Sequence, residues 1–401
     1  MTSEWHEVPL RELVGYISKG IAPSYAEEAS ESTIRVLNQK CNRNFRISYG
    51  DSRLHDTRKK KVPPERYVKP DDILINSTGA GTAGRIAQIE DVPSVTTIDG
   101  HMILIRSNGK VTQKFLGYAL KAHQWEVLQL DEGSTGQTEL NRDRLLDEIM
   151  INYPVSLDEQ NAIVGTLESI DRKLIVNEQL NDNLEQQAQS YFQELFVDNA
   201  SPEWTTGTIS DLGTVVGGST PSKAKPEYYT ESGIAWITPK DLSINKSKFV
   251  SHGENDITEL GLRNSSASLM PEGTVLFSSR APIGYIAIAA CEVTTNQGFK
   301  SVVPKPEIGT PFVYFFLKNT LPVIEGMASG STFKEVSGST MKNVSAVIPD
   351  AETLAKFSDF CAPIFAQQRI LEEQNQSLAT LRDNLLPKLM SGEIDVSAVQ
   401  L

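Results

Sequence analysis

The residues that most resemble a cofactor site are the glycine-rich run at 79–84, Gly-Ala-Gly-Thr-Ala-Gly. Its spacing matches the dinucleotide fingerprint, in which such a run opens a helix whose N-terminus holds a pyrophosphate. Here the run is followed by Arg85 to Ile89, where apolar and polar residues alternate as they do in a strand. The similar stretch at 278–284 keeps only its last glycine. The run therefore predicts a turn and not a cofactor site.

Other reactive residue types are present, but their spacing indicates no catalytic site. Asp71 and Asp72 lack the nearby acid and lysine that a nuclease needs, and no GxxxxGK[ST] phosphate loop occurs. The cysteines are isolated and odd in number, and the histidines show no metal-ligand spacing (Cys41, Cys291, Cys361; His6, His55, His101, His123, His252). We therefore predict a non-catalytic protein that binds neither cofactor nor metal.

A basic stretch in the first half of the chain has the composition of a phosphate-binding surface. Residues 35–69 contain eleven basic and three acidic side chains, a local charge of about +8. The alternative is a solvated loop with no partner, and the stretch alone does not decide between the two.

Two further motifs carry groups suited to nucleic acid. Asn296-Gln297-Gly298-Phe299-Lys300 places two amides beside a cation and a ring, which suits an adenine edge and its phosphate. The alternative is an amide network that holds a turn. Gly-Ser-Thr at 133–135 and 330–332 offers hydroxyls and amides to phosphate, although a turn or helix cap is equally ordinary.

Most of the excess negative charge lies outside these regions. The chain has 401 residues and a net charge of -13. Residues 156–200 carry 2 basic and 9 acidic side chains, and residues 350–401 carry 4 and 8, so these two segments hold 11 of the 13 excess charges. The remaining parts are nearly neutral, and the overall charge therefore does not exclude binding to nucleic acid.

Short segments of the first half of the sequence are repeated, in the same order, in the second half. Glu4-Trp5 is echoed by Glu203-Trp204, and Val95-Thr96-Thr97 by Val293-Thr294-Thr295. A period of about 199 residues is too long for a solenoid repeat, so it indicates two copies of a globular domain. We predict target domains at 1–155 and 201–349, each followed by a helix, at 156–200 and 350–401.

Alternating and β-rich runs predict a mixed α/β (α+β) fold for both domains. The predicted strands are Thr33 to Leu37, Asp72 to Asn76, Arg85 to Ile89, Met102 to Arg106, Ala235 to Thr238, Thr274 to Ser278, Tyr285 to Ala289 and Lys300 to Val303. An apolar helical stretch follows in each domain, Lys114 to Leu130 and Pro311 to Met327.

The two acidic segments have apolar residues at the spacing of a coiled-coil seam. The first opens with the capping box Ser156-Leu157-Asp158-Glu159. The predicted seam comprises Ile163, Leu167, Ile170, Leu174, Asn177, Asn181 and Leu184 in the first segment and Leu371, Asn375, Leu378 and Leu385 in the second. Pro363 and Pro387 are expected to kink or delimit the second helix. We predict an antiparallel, pseudo-two-fold pair; the alternative is two helices packed separately on their own domains.

The chain shows no sign of a membrane or secretory segment. No run of about 18 apolar residues occurs, and the first residues lack the basic and apolar regions of a signal peptide. The expectation is a soluble, cytoplasmic protein that does not bind membranes.

Several of these motifs together resemble the specificity (S) subunit of type I restriction-modification systems, along the whole chain. The second copy reads Gly217-Gly218-Ser219-Thr220-Pro221, then Trp236-Ile237-Thr238-Pro239-Lys240, then Thr295-Asn296-Gln297-Gly298-Phe299, and ends Leu385-Leu386-Pro387-Lys388-Leu389. The first contributes Gly133-Ser134-Thr135 and Leu157-Asp158-Glu159-Gln160. The first copy lacks the Thr-Pro and Trp-Ile pieces, so the two domains are expected to read different DNA sequences.

The resemblance implies a division of labour. Each domain would read one half of a bipartite, asymmetric duplex DNA target, and the helices would dock two modification (M) subunits. S-adenosylmethionine would bind the M subunit, and ATP and Mg would bind restriction (R) subunits. Candidate DNA-binding residues are Lys40, Arg43, Arg46, Arg58, Lys59, Lys60, Lys61, Arg85, Ser134, Thr135, Lys240, Lys246, Lys248, Arg280, Asn296, Gln297, Lys300, Ser331, Thr332 and Lys334.

Two other classes of protein fit parts of the sequence. A DNA-free structural adaptor could present two binding domains on a coiled-coil hairpin, and the basic stretch is the feature against it. A self-contained restriction-methylation polypeptide would need an Asn-Pro-Pro-Tyr methylation motif, for which Asn152-Tyr153-Pro154-Val155 is no substitute.

Overall fold

The computed structural model describes residues 4–79, 81–132, 139–330 and 334–396. The chain divides into two compact units. The first comprises Met1–Lys173 and Leu378–Leu401, and the second comprises Leu174–Ser377. Each unit holds one globular domain together with part of both long helices, whereas the predicted borders separate domains from helices. Those borders stay a prediction.

The first half of the chain is rich in short strands. Its strands are β1 Trp5–Pro9, β2 Val14–Lys19, β3 Tyr25–Ala26, β4 Thr33–Leu37, β5 Asn42–Arg43, β6 Arg46–Ile47, β7 Arg53–Asp56, β8 Ile73–Asn76, β9 Ile86–Gln88, β10 Thr96–Ile98, β11 Met102–Ser107, β12 Asp131–Glu132, β13 Glu139–Leu140 and β14 Met150–Pro154. Its helices are α1 Gln113–Ala122, α2 Gln124–Val127, α3 Arg142–Glu148 and the first long helix α4 Leu157–Gln193, which continues as a π-helical turn over Glu194–Asp198.

The second half repeats this pattern with fewer strands. Its strands are β15 Thr205–Thr208, β16 Gly213–Gly217, β17 Tyr229–Thr230, β18 Ile234–Ile237, β19 Phe249–Val250, β20 Asn255–Ile257, β21 Val275–Ser279, β22 Ile283–Ala289, β23 Val293–Thr295, β24 Lys300–Pro304 and β25 Ser345–Ile348. Its helices are α5 Ile209–Leu212, α6 Pro239–Ile244, α7 Glu259–Arg263, α8 Thr310–Gly326, α9 Gly338–Lys342 and the second long helix α10 Ala351–Met390.

The sheets of the two domains have matching strand orders. In the first domain the orders are β1-β14, β2-β11-β8-β9 and β10-β4-β7-β3; in the second they are β15-β25, β16-β24-β21-β22-β19 and β23-β18-β20-β17. Each domain has one sheet in which a single parallel pair stands among antiparallel neighbours, β10 with β4 and β23 with β18, and β19 adds a strand parallel to β22 at the edge of the other sheet of the second domain. The repeat seen in the sequence is therefore a repeat of topology.

All eight predicted strands are present, with ends within two residues of the prediction. The predicted helix at 311–327 is confirmed as α8, but the one at 114–130 is interrupted at His123. The break coincides with a tertiary contact: the Gln124 side chain accepts a hydrogen bond from Ile86 N (2.9 Å) and donates to Gly84 O (2.7 Å). These bonds hold the start of a separate helix against strand β9.

In both domains, a tryptophan side chain connects the domain to the start of the long helix that follows it. The Trp5 indole donates to Glu159 in the first turn of α4 (3.3 Å), and the Trp204 indole donates to Asp350 immediately before α10 (2.8 Å). The repeated tryptophans of the sequence therefore occupy equivalent structural positions.

The main core of each unit includes residues from both long helices. Ile163, Leu167 and Leu389 are at most 1% exposed in the core of the first unit, and Ala188, Phe357 and Cys361 are fully buried in that of the second. At roughly 1.5 to 3 kcal/mol for a buried Leu, Ile or Phe, this packing is a major attachment of the helices. The second helix continues through Pro363, which does not delimit it, and Pro387 lies one turn from its end.

Candidate nucleic-acid interface

The lysine loop, which we define as Lys59, Lys60 and Lys61, is exposed on the first domain. It is anchored from inside by His55, which is fully buried. His55 Nδ1 accepts from Ser24 N (2.9 Å), and its Nε2 faces Lys60 O at 2.8 Å, so Nε2 is the donor. Lys60 Nζ also donates to Ala22 O (2.9 Å). A fixed backbone with ammonium groups at the surface suits contact with a phosphate chain.

The arginines of the basic stretch are held by several different partners. Arg58 binds Asp56, which lowers the pKa of that carboxyl group. Arg53 lies 3.4 Å above the centre of the Tyr25 ring. Arg66 donates to Gly20 O, and Arg46 also has a protein partner. Their side chains are thus oriented by protein contacts before any ligand binds.

A second group of the predicted residues surrounds a hollow of about 510 Å³ in the first domain. Arg43 and Arg85 line it with Asn44, Phe45 and Gln124. Asn44 and Phe45 both have positive φ, which gives the tight hairpin between β5 and β6. Gly81 and Gly84 form a turn that leads into β9, so the glycine run opens a strand and no helix, as predicted.

In the second domain the Asn296-Gln297 motif follows strand β23. Asn296 Oδ1 accepts from Gly298 N (2.8 Å), and Thr220 donates to the Gln297 amide oxygen. Both amide oxygens therefore hold the loop, which agrees with the alternative of a turn-stabilising network. Within the described part of the chain, the Asn296 and Gln297 amide nitrogens have no hydrogen-bond partner, so both can donate to a ligand.

The cations around this motif are paired with acids. Lys240 binds Glu254 (2.6 Å), Arg280 binds Glu335 (3.3 Å), and Lys300 lies 3.5 Å from the same Glu335. Lys240, Arg280, Asn296 and Gln297 line one hollow of about 490 Å³. The structure thus brings together four predicted residues that are up to 57 positions apart in the sequence.

Both halves of the chain match one family model, described as the type I restriction modification DNA specificity domain, at residues 2–186 and 202–381. The chain belongs to this family. It is 38% identical over 191 residues to the type I restriction enzyme MjaIX specificity subunit of Methanocaldococcus jannaschii, covering 45% of this chain and 44% of that protein. It is 27% identical to the HindI specificity subunit of Haemophilus influenzae, covering 48% and 42%. The chain thus aligns with less than half the length of either relative.

A solved structure supports the fold of this specificity-domain protein. The type I restriction-modification S subunit from M. genitalium matches with a TM-score of 0.59 over 97% of this chain and 96% of that chain. Its sequence identity is 16%, so the match bears on the fold alone.

One predicted DNA contact of the second specificity domain needs correction. Lys248 is 6% exposed, and its ammonium group binds Glu185 and donates to Gln368 (2.6 Å). Burial lowers its pKa, although Glu185 opposes the shift. Because its charge is satisfied inside the protein, Lys248 attaches the domain to the long helices and does not reach a phosphate. Nearby Lys246 is exposed and lies over the Tyr285 ring (4.3 Å).

Four predicted contacts, Ser134, Thr135, Ser331 and Thr332, lie outside the described residues, whereas Lys40 and Lys334 are exposed. The sequence did not indicate Glu335 or His55. In the sequence, Glu335 is marked only by its position next to Lys334, and His55 only by its position shortly before three lysines. Both patterns are common on ordinary protein surfaces.

The described residues of the specificity-domain protein include neither a metal-binding cluster nor a membrane-spanning helix. No cluster of three or more His, Cys, Asp or Glu side chains in residues 4–79, 81–132, 139–330 and 334–396 could hold a metal ion. None of the helices in these ranges has the length and hydropathy needed to cross a bilayer.

The two long helices contact each other within each unit. In the first unit Arg382 donates to Asp171 (3.1 Å); Tyr118 and Lys121 of α1 bind the same carboxylate. In the second unit Asn177 donates to Asn375 (2.9 Å), and Gln368 donates to Asn181 O (3.2 Å). Predicted seam residues Leu174 and Leu371 are buried.

Proposed function

We propose that this chain is the DNA sequence-specificity subunit of a type I restriction-modification complex, with each domain reading one half of a bipartite target. The observation that carries the proposal is the repeat itself. Two segments that match the specificity-domain family fold with the same strand order, and each bears a cluster of cations and amides. Two reading domains in one chain suit a DNA target with two half-sites.

The target is asymmetric, because the equivalent loops of the two domains carry different groups. After β10 the loop is closed by Asp99, whose carboxylate accepts from His101 N (2.9 Å). After β23 the corresponding turn is closed by Asn296 and is followed by Gln297. Asp99 is 3% exposed, so the groups that these loops present at the surface are the His101 imidazole and the Gln297 amide. An imidazole and an amide present different donors and acceptors to a base edge, which supports two different half-sites.

The long helices pair as an antiparallel coiled coil related by pseudo-two-fold symmetry. The contacts of Asn177 with Asn375 and of Asn181 with Gln368 support this arrangement, because residue numbers fall along one helix as they rise along the other. Polar residues at such a seam fix the register of pairing.

Two modification subunits dock on these helices. Val176, Leu180 and Ile370 lie outside the seam and are 43–48% exposed, on segments that carry most of the excess acidic charge. Exposed apolar side chains on acidic helices suit a protein partner, and the acidic charge repels DNA. Methylation with S-adenosylmethionine belongs to the modification subunit, and ATP-dependent cleavage with Mg belongs to restriction subunits.

Co-expression with a modification subunit of the same restriction-modification system tests the proposal. We expect a complex of one specificity and two modification subunits by native mass spectrometry, with sequence-selective DNA binding that the isolated chain lacks. Val176→Asp with Leu180→Asp should abolish assembly, whereas Val323→Asp, a change at a more exposed position on α8, should not. A chain that assembles normally but ignores DNA sequence would instead be an adaptor.

A further inference from the structure

Arg280 is the first residue after strand β21 and lies where two hollows of the second domain meet. It lines the hollow that contains Asn296 and Gln297, and also a second hollow of about 650 Å³ with Glu325, Lys334 and Glu335. Its side chain is 36% exposed. An arginine between two solvent-open hollows can contact a ligand in either hollow through its guanidinium group.

The backbone that carries Arg280 is held firmly. Ser279 N donates to Gly298 O (2.7 Å), and Val336 N donates to Ser279 O (3.0 Å). The buried hydroxyl of Ser278 donates to Pro282 O (2.8 Å) and accepts from Tyr285 N (2.8 Å). Bonds on both sides of Arg280 therefore fix where its side chain begins.

The guanidinium group is held at one nitrogen. Nη1 donates to Glu335 Oε2 (3.3 Å), and Glu335 is shared with Lys300. Nε and Nη2 donate to no residue of the described ranges. These two N–H groups form a planar fork, and its spacing matches the O6 and N7 acceptors of guanine in the major groove.

The charges around Arg280 favour a base over a phosphate. Glu325 and Glu335 offset Arg280 and Lys334 in the second hollow, so its lining has no net charge, and Asp241 and Glu254 offset two of the three cations that line the first hollow. The lysine loop of the first domain differs, since its three adjacent lysines have no acid within the loop. Phosphate binding depends on unneutralised positive charge, whereas reading a neutral base edge depends on donors held in a fixed direction.

We propose that Arg280 reads a guanine in the half-site of the second domain, through paired hydrogen bonds to O6 and N7. Glu335 is a positioning residue that fixes the plane of the guanidinium group. This inference rests on the proposed function and adds to it the base and the residue that reads it.

The test is selection of bound duplexes from a randomised library by the complete complex with modification subunits. Wild type should select a guanine at the position read by Arg280. Arg280→Lys should weaken selection for that guanine by about 5- to 150-fold and leave all other positions unchanged. Glu335→Ala should weaken it by about two- to tenfold, and Glu335→Gln, which keeps an acceptor oxygen, should restore it.

The half-site of the first domain is an internal control for folding, because its selection should survive every variant. Arg263→Lys is the matched control, since Arg263 forms an exposed pair with Glu259 in the same unit (3.7 Å). Equal loss at all positions would make Arg280 a phosphate contact and overturn the inference. So would unchanged selection, or relaxation at a position that is not guanine. A wild-type complex without sequence preference would overturn the proposed function itself.

Discussion

The side-chain amide of Asn177 on the first long helix donates a hydrogen bond to the side-chain oxygen Oδ1 of Asn375 on the second, at 2.9 Å. Asn177 is 1% exposed, and its own Oδ1 has no hydrogen-bond partner among the described residues. A buried amide with one unsatisfied atom costs stability. Such a pair is consistent with selection of one register over others that would be more apolar.

Replacing both asparagines by leucine should therefore raise stability and lower specificity of pairing. We expect Asn177→Leu with Asn375→Leu to unfold at a higher temperature than wild type while forming several oligomers, seen by size-exclusion chromatography with light scattering. Asn375→Leu alone should destabilise by about 1 to 3 kcal/mol, since it leaves the buried Asn177 amide with only its longer bond, to Gln374 Oε1 (3.4 Å). A double variant that stays a uniform single species would show that the pair does not set register.

Lys248 should matter for folding and not for contact with DNA. It is enclosed by Glu185, Gln368 and the Phe365 ring, whose centre lies 4.0 Å from its ammonium nitrogen. Lys248→Met removes one of the two ammonium groups that compensate half-buried Glu185, the other being that of Lys318, so we expect a loss of about 1 to 3 kcal/mol in urea unfolding of the second unit. Lys246→Met is the exposed control two residues away. Equal stability of the two variants would contradict this role.

The lysine loop should supply affinity without sequence preference. Replacing Lys59, Lys60 and Lys61 by Glu should weaken binding to all duplexes. It should also reduce the slope of log K against log salt concentration by about 0.9 for each phosphate contact that is lost. Fluorescence anisotropy across a range of salt concentrations measures both quantities. Lys173→Glu, an exposed change on the first long helix, should leave the salt dependence unchanged. If the preferred sequence changed instead, the lysines would read bases.

Asp350 makes stability sensitive to acid. Its carboxylate accepts from Thr353 N (2.8 Å), from the Thr353 hydroxyl (2.9 Å) and from the Trp204 indole (2.8 Å). These bonds lower its pKa to about 2. Because the folded pKa lies below the unfolded value near 3.9, this stabilisation is complete above about pH 4 and is lost as pH falls towards 2. Asp350→Asn should flatten the pH dependence of the unfolding midpoint in that range; an unchanged slope would contradict the assignment.

The sequence predicted features that depend on local pattern. Strand β8 was recognisable because Ile73, Leu74 and Ile75 form an apolar run, and all three are fully buried. The break at His123 was not predictable, because Gln124 caps a strand 38 residues away. The burial of Lys248 was hidden for the same reason, since Gln368 is 120 residues distant. Exposed cations were predictable as a group; which of them are paired with acids depends on tertiary contacts.

Adenine-methylation mapping of cells that carry this chain with its modification subunit tests the central claim most directly. We predict methylation at one bipartite, asymmetric motif. Exchange of the second domain for that of a relative should change one half of the motif and leave the other half intact. Methylation that stayed at the same complete motif after the exchange, or that followed no motif, would contradict the assignment of one half-site to each domain.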